Sequence, residues 1–290
     1  MAKEAEEEMP IKSILVPLTG YEKGEGALVA ALALARRLGA YTDVLHVKPD
    51  PRESVPLIAE GTSGTVISQI IDLAEREANA RAADAQRLFD AAVKKANVVA
   101  VGSGASARFG SAIGRAPDEV SRVARVHDLV LMIRVPEDRD IDWRLTLEAA
   151  LMEGGRPILL LPAEPSGFGK AVAIAWNGSA EAARAASGAL PFLAQAERVL
   201  LLEGVKETPI EPSLDDLAEW LGHHGIKGET KRVRLKGWPV GGGLVDEAAA
   251  AGADLVVMGG YGHSRVRETI FGGATRAVLN AAKLPVLIAH

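Results

Sequence analysis

Short apolar runs alternate with amphipathic stretches along most of this chain. Residues 12–18, KSILVPL, open with Lys12 and Ser13 and continue as an apolar run, which predicts a strand covered on both faces, as in a parallel sheet. Thr19 and Gly20 close it, and Leu28, Ala31, Leu32, Ala35 and Leu38 follow at helical spacing until Gly39 stops the helix. Val44–Val47 reads as a second strand. A Pro-rich passage from Pro49 to Pro56 and a loop through Gly61 and Gly64 lead to an alanine-rich pattern from Val66 to Lys95, a long helix with room for a break. The apolar run Val98–Val101 predicts the next strand, ahead of a Gly/Ser/Ala loop that ends at Gly114. A helix over Asp118–Arg125, a strand over Leu129–Val135, a helix over Trp143–Met152 and a strand over Pro157–Leu161 complete the first series.

Residues 163–169, AEPSGFG, mix Pro, Gly and Ser between apolar segments and read as a linker. Beyond it the pattern repeats. Residues 12–47 align without a gap onto 170–205, with Lys12/Lys170, Gly20/Gly178, Ala27/Ala185, Ala31/Ala189, Leu32/Leu190 and Val47/Val205 identical. Asp128-Leu129-Val130-Leu131-Met132 matches Asp254-Leu255-Val256-Val257-Met258, and Arg156-Pro157-Ile158 matches Leu284-Pro285-Val286. The expected fold is therefore α/β: two tandem, Rossmann-like parallel sheets, each of about five strands joined by helical crossovers, in domains 1–165 and 166–290. Ligands of such sheets sit beyond the carboxyl ends of the strands, where strand order reverses.

The second copy of that edge carries the chemistry. After the strand-like Asp254–Met258, glycines fall at Gly259, Gly262, Gly272 and Gly273, a Gly-x2-Gly-x9-Gly-Gly pattern ahead of a helical stretch from Ala274 to Ala282. Glycines let a backbone approach an anion closely, and consecutive N–H groups followed by a helix N-terminus suit a phosphate. A plain strand-to-helix turn is the competing reading. In the first copy, Ile133 and Pro136 stand at the positions of Gly259 and Gly262, and Trp143–Ala150 has no glycine. The first domain is thus expected to lack this phosphate loop, which leaves the Gly102–Gly114 loop as its other candidate for a ligand.

Composition narrows the function classes. The charged fraction of 24% and apolar fraction of 48% are those of an ordinary globular protein. A net charge of -5 argues against general binding to nucleic acid or an anionic membrane. Without cysteine there is no disulfide, thiolate metal site or cysteine nucleophile. No apolar run has the roughly 20 residues that span a bilayer, and the acidic start MAKEAEEEMP lacks the regions of a secretory signal, so a cytoplasmic location is the expectation.

Other residues have an ordinary reading beside the functional one. His263, Arg265 and Arg267 could meet a phosphate or be solvated. His223-His224 lacks a third ligand at metal spacing, so no metal cage is expected. Lys231, Arg232, Arg234 and Lys236 alternate with Val233 and Leu235, as in a strand with one apolar face. Gly241–Gly243 reads as the turn before a helix starting near Leu244, and Trp176 and Trp238 read as core or interface residues. No Gly-x-Ser-x-Gly elbow, Gly-x4-Gly-Lys-Ser/Thr loop or paired carboxylates at the glycine loop point to catalysis.

The glycine spacing and the duplicated order of elements resemble the universal stress protein family, in its tandem form, over nearly the whole chain. Nucleotide-binding members carry Gly-x2-Gly-x9-Gly-Ser/Thr after strand four. Gly259, Gly262 and Gly272 match, Gly273 stands at the Ser/Thr position, and the next hydroxyl is Thr275. Such members place an Asp after strand one, near the adenosine or its metal, where this chain has Asn177; an amide can bond base or sugar but adds no charge for Mg²⁺.

The resemblance implies that Val205 flanks the adenine, that Gly259 and Gly262 meet ribose and phosphate, and that Gly272, Gly273 and Ala274 hold the phosphate tail. Met258, His263 and Thr275 complete the candidate set. The implied function is binding of an adenine nucleotide, ATP or AMP, with Mg²⁺ as a candidate companion, by a stress-response regulator or sensor whose ATP hydrolysis, if any, is slow. The same likeness implies pairing of the strands 157–161 and 285–289 within the chain, and a homodimer. A protein-interaction or small-ligand module of the same fold is the alternative.

Overall fold

The computed structural model describes residues 11–18, 25–51, 64–99, 105–134, 141–205, 208–234, 240–260 and 283–290. They fall into two compact units, one of Lys12–Gly154 and one of Gly155–His290 together with Ile11. The loop glycine Gly262 and the candidates His263, Gly272, Gly273, Ala274 and Thr275 lie outside the described residues, as do Trp238 and the start of the Gly102–Gly114 loop, residues 102–104.

The first unit runs β1 (Ser13–Leu18), α1 (Glu25–Leu38), β2 (Tyr41–Lys48), α2 (Gly64–Ala96), β3 (Ser106–Ile113), α3 (Ala116–Ala124), β4 (Leu129–Ile133) and α4 (Ile141–Glu153). Its strands lie parallel in the order β3-β2-β1-β4. Ile14, Leu15, Val16 and Leu129–Leu131 are buried, as are Leu28 and Leu32 of α1. An apolar run buried throughout is what a central strand of a covered parallel sheet requires.

Two expectations change here. The long helix is continuous from Gly64 to Ala96. The third strand is Ser106–Ile113, within the stretch that reads as a loop; of the apolar run over 98–101, Val99 contributes a bridge to Ser106. The physical reason lies in the partner strand. Register pairs Tyr41 with Ser106 and Lys48 with Ile113, so β2 supplies the ladder that SARFGSAI cannot announce by hydrophobicity. As an edge strand, β3 has many exposed positions, and a half-solvated edge carries little apolar signal.

The second unit runs β5 (Ile158–Leu161), β6 (Ala171–Trp176), α5 (Ala180–Gly188), α6 (Leu190–Leu193), β7 (Arg198–Gly204), α7 (Leu214–His223), β8 (Gly228–Val233), α8 (Val240–Ala250), β9 (Leu255–Gly259) and β10 (Val286–Ala289). The strands follow the order β5-β10-β9-β6-β7-β8. All pairs are parallel except β5 with β10. Two separate parallel five-stranded sheets are therefore not what forms. Strand Ile158–Leu161, placed by sequence in the first domain, groups with the second unit because its apolar residues and its ladder are completed by β10. The pair is self-equivalent: Leu159 faces Leu287, its own counterpart in the repeat, flanked by Ile158–Ile288 and Leu160–Val286.

Strands β1 and β6, aligned in the repeat, begin with the same device. Asp128 Oδ2 accepts from the backbone N–H of Lys12 and of Ser13, each at 2.9 Å. Asp254 accepts from the N–H groups of Gly169 at 2.8 Å, Lys170 at 3.1 Å and Ala171 at 3.1 Å. Each carboxylate thus satisfies backbone donors where its strand begins, a place where the ladder leaves them open.

Further departures concern the second unit's edge and its last helix. The basic strand β8 is exposed at Glu229–Arg232 and has no buried face. It is an edge strand, and edges are commonly guarded by charge. Helix α8 starts at Val240, so Gly241–Gly243 lie in its first turns and do not form a turn before it.

Candidate functional site

In the second unit β6 has β7 on one side and β9 on the other, so strand order reverses at the β6–β9 pair. Register sets Ala175 beside Met258 and Trp176 beside Glu203. Asn177, Val205, Met258 and Gly259 consequently stand at neighbouring carboxyl ends, with Asn177 exposed and Val205 50% exposed.

Local chemistry shapes this edge. Trp176 ends β6 buried, and its indole N–H donates to Pro212 O at 2.8 Å. Gly178 follows at φ +73, and a Cβ there would lie 2.6 Å from Glu211 O. Only a glycine allows the 210–212 stretch to cross so close, in a left-handed conformation that other residues rarely adopt. Asn177 Oδ1 accepts from Ser179 N at 3.1 Å, and Ser179 Oγ caps α5 by accepting from Ala182 N at 3.2 Å. The turn is thereby held rigid by its own polar side chains.

Gly259 packs hardest of the described glycines in this region. A Cβ on it would stand 2.5 Å from Ala182 N and 2.8 Å from Glu181 C, so β9 meets the first turn of α5 backbone against backbone. Glu181 itself is part-buried there. Burial pushes its carboxyl up, but its own backbone N–H, the Ser179 side chain, Arg184 and His290 outweigh that and hold it below the ordinary range. Helix α5 thus begins with a carboxylate that satisfies its positive end from within the chain.

On the far side of β7, Glu203 is buried and takes Arg232 Nε at 3.1 Å, while Arg232 Nη2 reaches Asp215 Oδ2 at 3.0 Å. Lys231 pairs with Glu247. The basic stretch over 231–236 therefore has two of its cations tied to acids of the same unit. His223 and His224 are exposed, with the His224 ring edge-on to Trp220 at 4.9 Å. Among the described residues no three His, Asp or Glu are grouped to hold a metal ion, and no helix is long and apolar enough to cross a membrane.

Sequence reasoning selected Asn177, Val205, Met258 and Gly259, and the fold brings these to one edge. Glu181 was not among them, although a serine followed by an acid in a first turn marks a helix start.

The model of the universal stress protein family matches residues 147–290. The match makes this part of the chain similar to the universal stress protein family. No curated protein matches the chain. Among solved structures, a universal stress protein from Archaeoglobus fulgidus DSM 4304 is 16% identical, with 97% of each chain covered and a TM-score of 0.68. A putative universal stress protein from Pseudomonas aeruginosa UCBPP-PA14 is also 16% identical, over 97% of this chain and 94% of the other, with a TM-score of 0.56. A functionally unknown protein from Pseudomonas aeruginosa PAO1 is 14% identical, over 97% and 93%, with a TM-score of 0.57. At such identities the likeness is one of fold alone, and it runs over nearly the whole chain.

Proposed function

We propose that the second domain, 166–290, binds an adenine nucleotide, ATP or AMP, and that the chain acts as a stress-response regulator or sensor. The observation that carries this reading is the convergence of Asn177, Val205, Met258 and Gly259 at the strand-order reversal, the position at which open α/β sheets bind ligands. Val205 offers half-exposed apolar surface to a base, and the Asn177 amide can serve a base or ribose. Ser179 and Glu181 already occupy donors of the first turn of α5 and set negative charge there. The phosphate end therefore falls to Gly262, His263, Gly272, Gly273, Ala274 and Thr275. Asn177 brings no charge to Mg²⁺, whose oxygens would come chiefly from phosphate and water.

The test is titration of ATP, ADP and AMP into the full chain, beside a Gly272→Asp/Gly273→Asp variant that sets negative charge in the loop. Saturable binding that weakens about tenfold or more in the variant, a loss of about 1.4 kcal/mol, supports the reading. Absence of saturable binding at millimolar nucleotide overturns it. Phosphate release from ATP, absent in the same variant, would move the protein from sensor to slow hydrolase. Glu181 favours the second reading, a module of this fold that takes a neutral or cationic ligand at the same edge.

A further inference from the structure

In the first unit the same kind of edge is built from different chemistry. Strand order reverses at the β1–β4 pair, and Arg134 directly follows the carboxyl end of β4. In the repeat Arg134 corresponds to Gly260, whose N–H donates to Ala289 O at 2.8 Å. A glycine in one copy is thus an arginine in the other, at the edge where such sheets bind ligands.

The guanidinium is in an unusual state. Arg134 keeps some exposed surface, yet its Nε and Nη2 are sealed from water and, among the described residues, have no hydrogen-bond partner. Burial pushes its pKa down to about 10, and among the described residues no acid acts to raise it. At neutral pH the group remains a cation, and a buried cation without a counter-charge is costly. Nε–H and Nη2–H also form one edge of the guanidinium, with parallel N–H bonds that match two oxygens of a single carboxylate or phosphate. The chain beneath is fixed, because the Trp143 indole N–H donates to Ile133 O at 2.8 Å and Trp143 is buried.

We propose that the first unit binds a small oxyanion, a carboxylate or a phosphate group, through the Nε–Nη2 edge of Arg134. The site is separate from the glycine loop of the second domain and does not depend on it. It gives the chain a second ligand in the domain where Ile133 and Pro136 replace the loop glycines.

The experiment titrates inorganic phosphate, and separately succinate, into the full chain by calorimetry at constant ionic strength, and follows the shift in unfolding temperature with each. The expected result is single-site binding of at least one anion. It should weaken about tenfold or more in Arg134→Met, because a charge-assisted bidentate contact is lost. Arg134→Lys keeps the charge without the fork and should also bind more weakly, which guards against reading a misfolded Met variant as loss of the site. The Gly272→Asp/Gly273→Asp variant should bind phosphate or succinate as the wild type does, so this proposal and the nucleotide reading can fail separately. The arm that binds identifies the anion. Absence of binding by both anions, or equal binding by wild type and Arg134→Met, overturns the proposal and assigns the cation to an acid of the chain itself, such as Glu137, Asp138 or Asp140.

Discussion

Gly259 and Ala182 meet backbone to backbone: a Cβ added to Gly259 would stand 2.5 Å from Ala182 N, where no flexible side chain can yield. Gly259 therefore serves packing of β9 on α5 as well as any ligand. Gly259→Ala is expected to destabilise the chain by about 1–3 kcal/mol, the usual range for overpacking. A lower urea midpoint with unchanged slope would show it. An unchanged midpoint would mean that β9 and α5 separate without cost. Loss of nucleotide in this variant is ambiguous for the same reason, and substitutions at Gly272 and Gly273 are the better probes.

Asp254 holds three successive backbone donors at the start of β6. Asp254→Ala strips these N–H groups of their acceptor, and the expected loss is about 1–3 kcal/mol. Asp128→Ala should cost a similar amount in the first unit, where Lys12 and Ser13 lose theirs. Paired chemical denaturation of the two variants checks both, and a neutral effect in either would show that water replaces the carboxylate.

Glu148 lies buried in α4 with Oε1 3.9 Å from Arg144 Nε but without a hydrogen bond among the described residues, and burial pushes its carboxyl up, against the opposing pull of Arg144. A raised folded-state pKa means that the native state holds the proton more tightly. Stability linked to this group is complete below the unfolded value of 4.5 and is lost as pH rises through the folded value. Glu148→Gln should therefore be more stable than wild type at pH 7, with the gap closing as pH falls to 4. Thermal melts at both pH values test it, and a constant gap would remove the titration as its cause.

Glu181 has the opposite sign. Burial raises it, but its own N–H, Ser179, Arg184 and His290 prevail, so its folded pKa lies below the ordinary 4.5. Its contribution is present above 4.5 and is lost as pH falls through the lower folded value. Glu181→Gln should flatten the acid limb of the stability curve while leaving the fold at pH 7. The variant also removes negative charge from the start of α5. If an anionic nucleotide binds at that edge, its affinity should rise severalfold at low salt, since one repulsive charge near the surface is worth about 1 kcal/mol. Calorimetric titration of ATP into both proteins reads this effect, and equal affinity would set the phosphates away from Glu181.

The sequence by itself determined the buried strands and the duplication. Continuous apolar runs at 14–16, 129–131, 172–174 and 255–257 can be satisfied only by cover on both faces, and β1 and β6 occupy the same aligned positions, Ser13–Leu18 and Ala171–Trp176. Its glycine spacing pointed to the edge where Met258 and Gly259 end β9. The tertiary structure decided what depends on partners. SARFGSAI becomes a strand because β2 offers it a ladder, and Ile158–Leu161 joins the second unit because β10 pairs with it antiparallel. Hydrophobic periodicity records burial but not which strand edge is open. Likewise, the orphaned edge of Arg134 arises from packing, where charge is set by desolvation and not by residue type alone.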